Sequence, residues 1–209
     1  RAKSLTDIMA RSADCKYRFG LTGTLDGTQT HRLVLEGLFG KVTQVTTTKE
    51  LMDDETLAKL DIDCIVLKHT DEECKRIKKY TYAEELNYIV SHTKRNKFIE
   101  NLCKTIKGNT LVLFQLVDKH GVLLHNEIKK LDKKVFFVYG GTTTETREKI
   151  RGIVEKEKDS LIIASYGTFS TGINIRNINN IVFASPSKSK IRVLQSIGRG
   201  LRKAVSYTQ

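Results

Sequence analysis

Thr110-Leu-Val-Leu-Phe-Gln115 is the stretch that decides the fold of this chain. Its apolar residues run from Leu111 to Phe114 without polar alternation, so a strand made from them is buried on both faces. Such strands belong to parallel sheets with helices above and below. The sequence around it repeats the pattern. Cys64-Ile-Val-Leu67 comes before it, and Val135-Phe-Phe-Val-Tyr139, Leu161-Ile-Ile-Ala-Ser165 and Ile181-Val-Phe-Ala184 come after it. Between them lie helical periods. Asp71 to about Ser91 is highly charged, with Ile77, Leu86 and Ile89 turned inward. Lys94 to Lys107 carries Phe98, Ile99, Leu102 and Ile106 on one stripe and stops at Gly108. Further helices are expected over residues 119–131 and from a Thr142/Glu145 capping box, just past the turn Gly140-Gly141, to about Lys156. The last helix is expected from Lys190 to Ala204. Strands alternating with helices in this way predict an α/β fold, a doubly wound parallel sheet.

Upstream of this region the pattern is less regular. Residues 1–14 predict a helix with Leu5, Ile8 and Met9 on one side. Tyr17-Arg-Phe-Gly-Leu21 reads as a short strand running into Thr22-Gly-Thr24, which would place two hydroxyls at a sheet's carboxyl edge. Thr30 to Phe39 is helical with Gly40 as its cap, and Val42 to Thr47 is β-branched and strand-like. The polar residues 48–61 read as a linker, which divides the chain into 1–47, 48–61 and 62–209. Arg1 is not a methionine and nothing closes the fold after the last helix, so the expectation is a fragment of a longer protein.

Composition narrows the partners. The 209 residues carry 36 Lys and Arg against 24 Asp and Glu, a net charge of +12. That excess favours a polyanion, nucleic acid before membrane. No apolar run is long enough to span a bilayer, and there is no signal-peptide pattern. Cys15, Cys64, Cys74 and Cys103 form no C-x-x-C pair and the five histidines are scattered, so no metal site is expected. Four scattered thiols suit a reducing cytoplasm, and the expected form is a monomer.

Four stretches fall where such a sheet presents ligands, at strand carboxyl ends. They are Phe114-Gln115, Gly140-Gly141, Ser165 through Ile175, and the helix carrying Gln195-Ser-Ile-Gly-Arg199-Gly-Leu-Arg202. Arg199 and Arg202, three apart, share a helix face, and two guanidinium forks on one face suit a phosphate. Gly198 and Gly200 beside them allow close approach. The Ser165–Ile175 loop is rich in hydroxyls and glycine and holds no acidic residue, so it can offer donors to phosphates without repulsion.

In order and spacing these residues resemble the superfamily 2 helicases and translocases. Thr22-Gly-Thr24 is similar to the family's motif III, Thr110 to Gln115 to motif IV, Ser165 to Ile175 to motif V, and Gln195 to Arg202 to motif VI. The last is the most specific, since Q-x-x-G-R-x-x-R stands complete. The resemblance implies that residues 1–47 end a first RecA-like domain and that 62–209 form most of a second. It implies ATP and Mg²⁺ in the cleft between the two, with Arg199 and Arg202 as arginine fingers and Gln195 positioning the γ-phosphate or its attacking water. Gly172 and Asn174 would lie on the nucleotide side, and Gln115, Gly140, Gly141, Ser165 and Thr168 on the nucleic-acid backbone. Thr22 and Thr24 would couple hydrolysis to domain movement.

The departures fit a half-motor. No G-x-x-x-x-G-K-[ST] is present, because Gly40-Lys41 is followed by Val42. Asp71-Glu72 imitates a Mg²⁺-binding carboxylate motif but follows motif III instead of preceding it, and reads as a charged helix start. The phosphate-gripping lysine and the metal ligands are therefore expected in another domain, and the residues in hand act alone as neither ATPase nor helicase. Two alternatives stay open: a non-catalytic nucleic-acid-binding module, against which the spaced arginines argue, and a double-stranded DNA translocase with the same motifs.

Overall fold

The structure is a computed structural model that describes residues 3–23, 25, 29–168 and 175–201, with residues 29–31 described for the backbone alone. Two compact units divide it, Arg1–Asp54 and Glu55–Gln209.

In the first unit, α1 (Lys3–Arg11) and α2 (Gln29–Phe39) match the expected helices. Gly40 ends α2 with φ of 90°, a backbone conformation natural to glycine, while its N–H donates to the Glu36 carbonyl at 2.8 Å. The expected strands at Tyr17–Leu21 and Val42–Thr47 do not form. Tyr17, Phe19, Leu21 and Val45 are exposed, and no strand among the described residues pairs with either segment. β-propensity without a hydrogen-bonding neighbour leaves extended coil. Where the linker over 48–61 is expected, a reciprocal capping box between Thr47 and Glu50 starts the short helix α3 (Thr48–Asp53).

The second unit carries the sheet. Its strands are β1 (Thr110–Phe114), β2 (Lys134–Val138), β3 (Ser160–Ser165) and β4 (Asn180–Phe183), ordered β2-β3-β1-β4 and parallel throughout. Leu111 and Leu113 point to one face, where α8 (Thr144–Val154) supplies Ile150 and Val154. Val112 and Phe114 point to the other, where α6 (Thr93–Thr105) supplies Ile99 and Cys103, and α7 (Val122–Ile128) supplies Leu124 and Ile128. Burying such a Val, Leu, Ile or Phe side chain contributes about 1.5–3 kcal/mol, so the sheet is held between the two helical layers. The α/β, doubly wound parallel architecture is as the apolar runs predict. Asn109 locks the amino end of β1. Its amide nitrogen donates to the Glu157 carbonyl at 2.8 Å, and its Oδ1 accepts from the Ser160 N–H at 3.0 Å and hydroxyl at 2.8 Å.

Several local expectations are corrected. Cys64–Leu67 is exposed coil, since β4 and β2 occupy the sheet edges and no further strand adds to them among the described residues. The helix expected from Asp71 to Ser91 is two, α4 (Asp71–Ile77) and α5 (Tyr82–Ser91), because Thr81 and Glu84 form a second capping box. The expected helix over 119–131 begins as a π-turn, Val117–Gly121, and continues as α7. The cap of α8 is Thr143, which accepts from the Thr146 N–H at 3.3 Å. Thr142 instead accepts from the Tyr139 N–H at 3.1 Å and closes the preceding turn. The last helix, α9, spans Lys190–Gly200. No helix among the described residues is long and apolar enough to cross a membrane.

Candidate functional site

Parallel register fixes what the sheet presents at its carboxyl edge. Phe114 pairs with Ser165, Leu113 with Phe183, and Val138 with Ala164. The residues that follow these strands therefore emerge on one edge: Gln115, Tyr139 to Gly141, Tyr166 to Thr168, and Ala184-Ser185. Gln115 is half-buried, and its backbone N–H donates to Ser185 Oγ at 3.1 Å. Gly140 and Gly141 are exposed in a turn, and a Cβ on Gly141 would lie 2.7 Å from the Tyr139 ring. Ser165 and Thr168 are both buried, with hydroxyls 2.8 Å apart, and residues 166–168 after β3 are helical where the sequence predicts a loop; residues 169–174 lie outside the described residues.

On α9, Ser189 caps the first turn by accepting from the Arg192 N–H at 3.3 Å. Ser196 is buried, and Gly200 packs so closely that a Cβ there would meet Ile181 Cδ1 at 2.5 Å. Gly200 thus serves helix–strand packing, whereas Gly198 has open space around it. With that side turned to β4, exposed Gln195 and half-buried Arg199, four residues apart, share the neighbouring face with Arg192. Gly172, Asn174, Arg202 and Thr24 lie outside the described residues. Thr22 is exposed in the first unit.

A buried polar cluster behind this edge had no single-residue signal in the sequence. His120 is fully buried in the π-turn, and its Nδ1 lies 2.8 Å from Ser185 Oγ. The Ser185 carbonyl accepts from the buried Tyr166 hydroxyl at 2.8 Å, and the Ala184 carbonyl accepts from Arg95 Nη2 of α6. The Arg192 guanidinium lies 5.8 Å from the Tyr166 ring centroid. A serine and a histidine this close have the geometry of a hydrolytic pair. Here, however, both are shut from solvent and the serine oxygen already accepts the Gln115 amide, so the pair holds backbone in place. Burial, aided by the positive charge of Arg95, pushes the His120 pKa down to about 4, so its imidazole is neutral. Burial likewise pushes the Tyr166 hydroxyl up to about 12, against the pull of Arg192 and Arg95.

One cluster among the described residues has donor atoms close enough for a metal: His69, Glu73 and His92. Its hydrogen bonds suit a helix clamp better. Glu73 accepts from the Thr70 N–H at 3.0 Å, from the Thr70 hydroxyl at 3.2 Å and from the Tyr88 hydroxyl at 3.2 Å. The Thr70 amide above all holds its carboxyl down at about 2. His92 Nδ1 accepts the Arg95 N–H at 3.2 Å, which leaves the ring proton on Nε2, facing Glu73. A ligating imidazole has the reverse arrangement, with its second nitrogen donating. Asp71 and Glu72 open α4 behind the capping Thr70, the charged helix start that their position predicts.

Comparison with known proteins gives the same architecture. Residues 93–204 match the family described as Helicase conserved C-terminal domain. The chain is 39% identical over 209 residues to the ATP-dependent DNA helicase uvsW of Enterobacteria phage T4, covering 99% of this chain and 41% of that protein. It is 27% identical over 164 residues to IRC3 of Saccharomyces cerevisiae, covering 73% of this chain and 23% of that one. The crystal structure of T4 UvsW aligns with a TM-score of 0.56 at 41% identity, over 62% of this chain and 27% of that chain. The chain thus spans well under half the length of the curated relatives it matches.

Proposed function

The chain belongs to the helicase conserved C-terminal domain family, within the superfamily 2 helicases, and from that premise we propose that it is the second RecA-like half of an ATP-driven DNA helicase. The observation that carries this reading is the α9 face with Arg192, Gln195 and Arg199, which starts beside Tyr166 at the carboxyl edge of a parallel sheet and runs back along β4, in a chain that matches this family. Lys190–Gly200 of α9 carries cations and no Asp or Glu, which suits a triphosphate and not Mg²⁺, so the metal ligands and the phosphate loop come from another RecA-like domain. Residues 1–47 are the end of that domain, and Thr22 and Thr24 couple its movement to hydrolysis.

ATP binds between the two domains. Arg199 and Arg202 neutralise charge that develops on the γ-phosphoryl group, and Gln195 positions that group or the attacking water. Gly172 and Asn174 line the nucleotide side. Gln115, Gly140, Gly141, Ser165 and Thr168 form the DNA side, where exposed turn backbone and a +12 charge suit phosphate contacts. Because the hydroxyls of Ser165 and Thr168 bond each other, their part is to fix the backbone that follows β3. In this reading the substrates are branched DNA, remodelled by unwinding, branch migration or annealing in recombination and repair, and the protein acts as a monomer in the cytoplasm, the host cell's if it is phage-encoded.

The test is steady-state ATP hydrolysis beside nucleotide-free DNA affinity, measured on the complete protein. Arg199→Ala and Arg202→Ala each slow hydrolysis by about 10³–10⁵-fold, and Lys rescues poorly because a point charge lacks the planar fork. DNA affinity without nucleotide changes far less. Turnover that survives both substitutions, or DNA binding that collapses with turnover, refutes the finger assignment. The 209-residue chain alone should hydrolyse no ATP.

A further inference from the structure

We infer that His120 and Tyr166 are positioning residues for the DNA side of the sheet edge, acting through Ser185 on the backbone of Gln115. This rests on the helicase reading above.

The geometry converges on one residue. Ser185 follows β4 by two residues, and each of its polar groups is engaged. Its N–H donates to the Leu113 carbonyl at 3.3 Å, its carbonyl accepts from the Tyr166 hydroxyl, and its Oγ meets both the Gln115 N–H and His120 Nδ1. Gln115 therefore leaves β1 along a path set by a side chain 70 residues away. His120 reaches Ser185 because the π-turn winds an extra residue into its helical turn. The His120 and Gly121 N–H groups both return to the Leu116 carbonyl, at 3.1 and 2.9 Å. The turn can sit this low only because residue 121 is glycine, since a Cβ would be 2.5 Å from Phe114 Cε2. The tie to Ser185 is the one polar contact of the imidazole among the described residues, since Nε2 has no partner there.

Tyr166 links the same point to the nucleotide side. It directly follows Ser165, and its ring stacks on Phe183 with centroids 6.2 Å apart. Arg192 lies over it from α9, on the helix face that also carries Gln195 and Arg199. Ser185 thus receives the end of β1, the first residue after β3 and, through the Tyr166 ring, helix α9. Ordinary core packing does not call for this arrangement. A buried histidine bound through one nitrogen is worse filler than leucine, and its place in a dry interior depends on the bond it makes.

Two substitutions at His120 separate positioning from packing. Asn can place a polar atom near the Nδ1 position, whereas Leu fills the space and removes the bond. Tyr166→Phe, which keeps the ring and deletes only the hydroxyl, is the conservative second site. The assay is ATP hydrolysis by the complete protein, titrated with a mixed-sequence duplex bearing a single-stranded tail, alongside urea unfolding. His120→Leu and Tyr166→Phe should raise the half-saturating DNA concentration by about 3- to 10-fold, the equivalent of one lost hydrogen bond. His120→Asn should stay near wild type in DNA dependence although it is the less stable of the two His120 variants. If the half-saturating concentration follows stability instead, with Leu better than Asn, or does not move in Tyr166→Phe, the assignment is overturned while the helicase reading stands. If wild-type hydrolysis ignores the oligonucleotide altogether, the helicase reading fails and takes this inference with it.

Discussion

Acid should weaken the fold through His120. The residue is fully buried, and desolvation reinforced by the Arg95 charge pushes its pKa down to about 4. In the unfolded chain an imidazole titrates near 6.5. Between those values the unfolded chain binds a proton that the folded chain refuses, so stability falls as pH falls through that window and is flat above it. At about 1.4 kcal/mol per unit, the loss reaches about 2 kcal/mol by about pH 5 and about 3 kcal/mol by about pH 4. Other groups titrate too. The Thr70 amide holds Glu73 at about 2, and that carboxylate loses its contribution only below its unfolded value near 4.5. The comparison that isolates His120 is therefore urea unfolding of wild type and His120→Leu, followed by far-ultraviolet circular dichroism at several pH values between about 7.5 and 5. The carboxylate contributions cancel in the difference between the two proteins. That difference should shift by about 2 kcal/mol in favour of the leucine variant on going from about pH 7.5 to 5. A difference constant to within about 0.5 kcal/mol would show that the imidazole accepts a proton in the folded state, and the account of a dry, neutral His120 would be wrong.

Three other outcomes are expected. Cys15, Cys64 and Cys74 are exposed and should react with a thiol reagent in the native protein, whereas Cys103, buried and pushed up to about 12, should react only on unfolding. Gly121→Ala should destabilise the second unit by about 1–3 kcal/mol in urea titration, because its Cβ would overlap the Phe114 ring; a loss under about 0.5 kcal/mol would mean that the π-turn slides freely. DNA binding should be insensitive to sequence and weaken steeply with salt, as expected for a +12 chain that contacts phosphates; a binding constant flat between low and moderate salt refutes it.

The sequence by itself determined the core and the layout of the edge. Leu111–Phe114 and Leu161–Ala164 are too continuously apolar to serve as half-exposed strands, and their burial on both faces follows from that composition alone. The spacing from Gln195 to Arg199 places both residues on one helical face by periodicity, without any tertiary information. Capping boxes were equally local, and the break between α4 and α5 was written in Thr81 and Glu84. Tertiary structure decided the rest. Tyr17–Leu21, Val42–Thr47 and Cys64–Leu67 have strand composition, yet a strand exists only where another backbone pairs with it. The Ser185 junction joins residues 65 and 70 positions apart, and nothing in the local context of His120 marks it as buried. Periodicity records which face of an element is apolar. Which polar group meets another across the core depends on how the strands are ordered, and that order is set by packing between segments far apart in the chain.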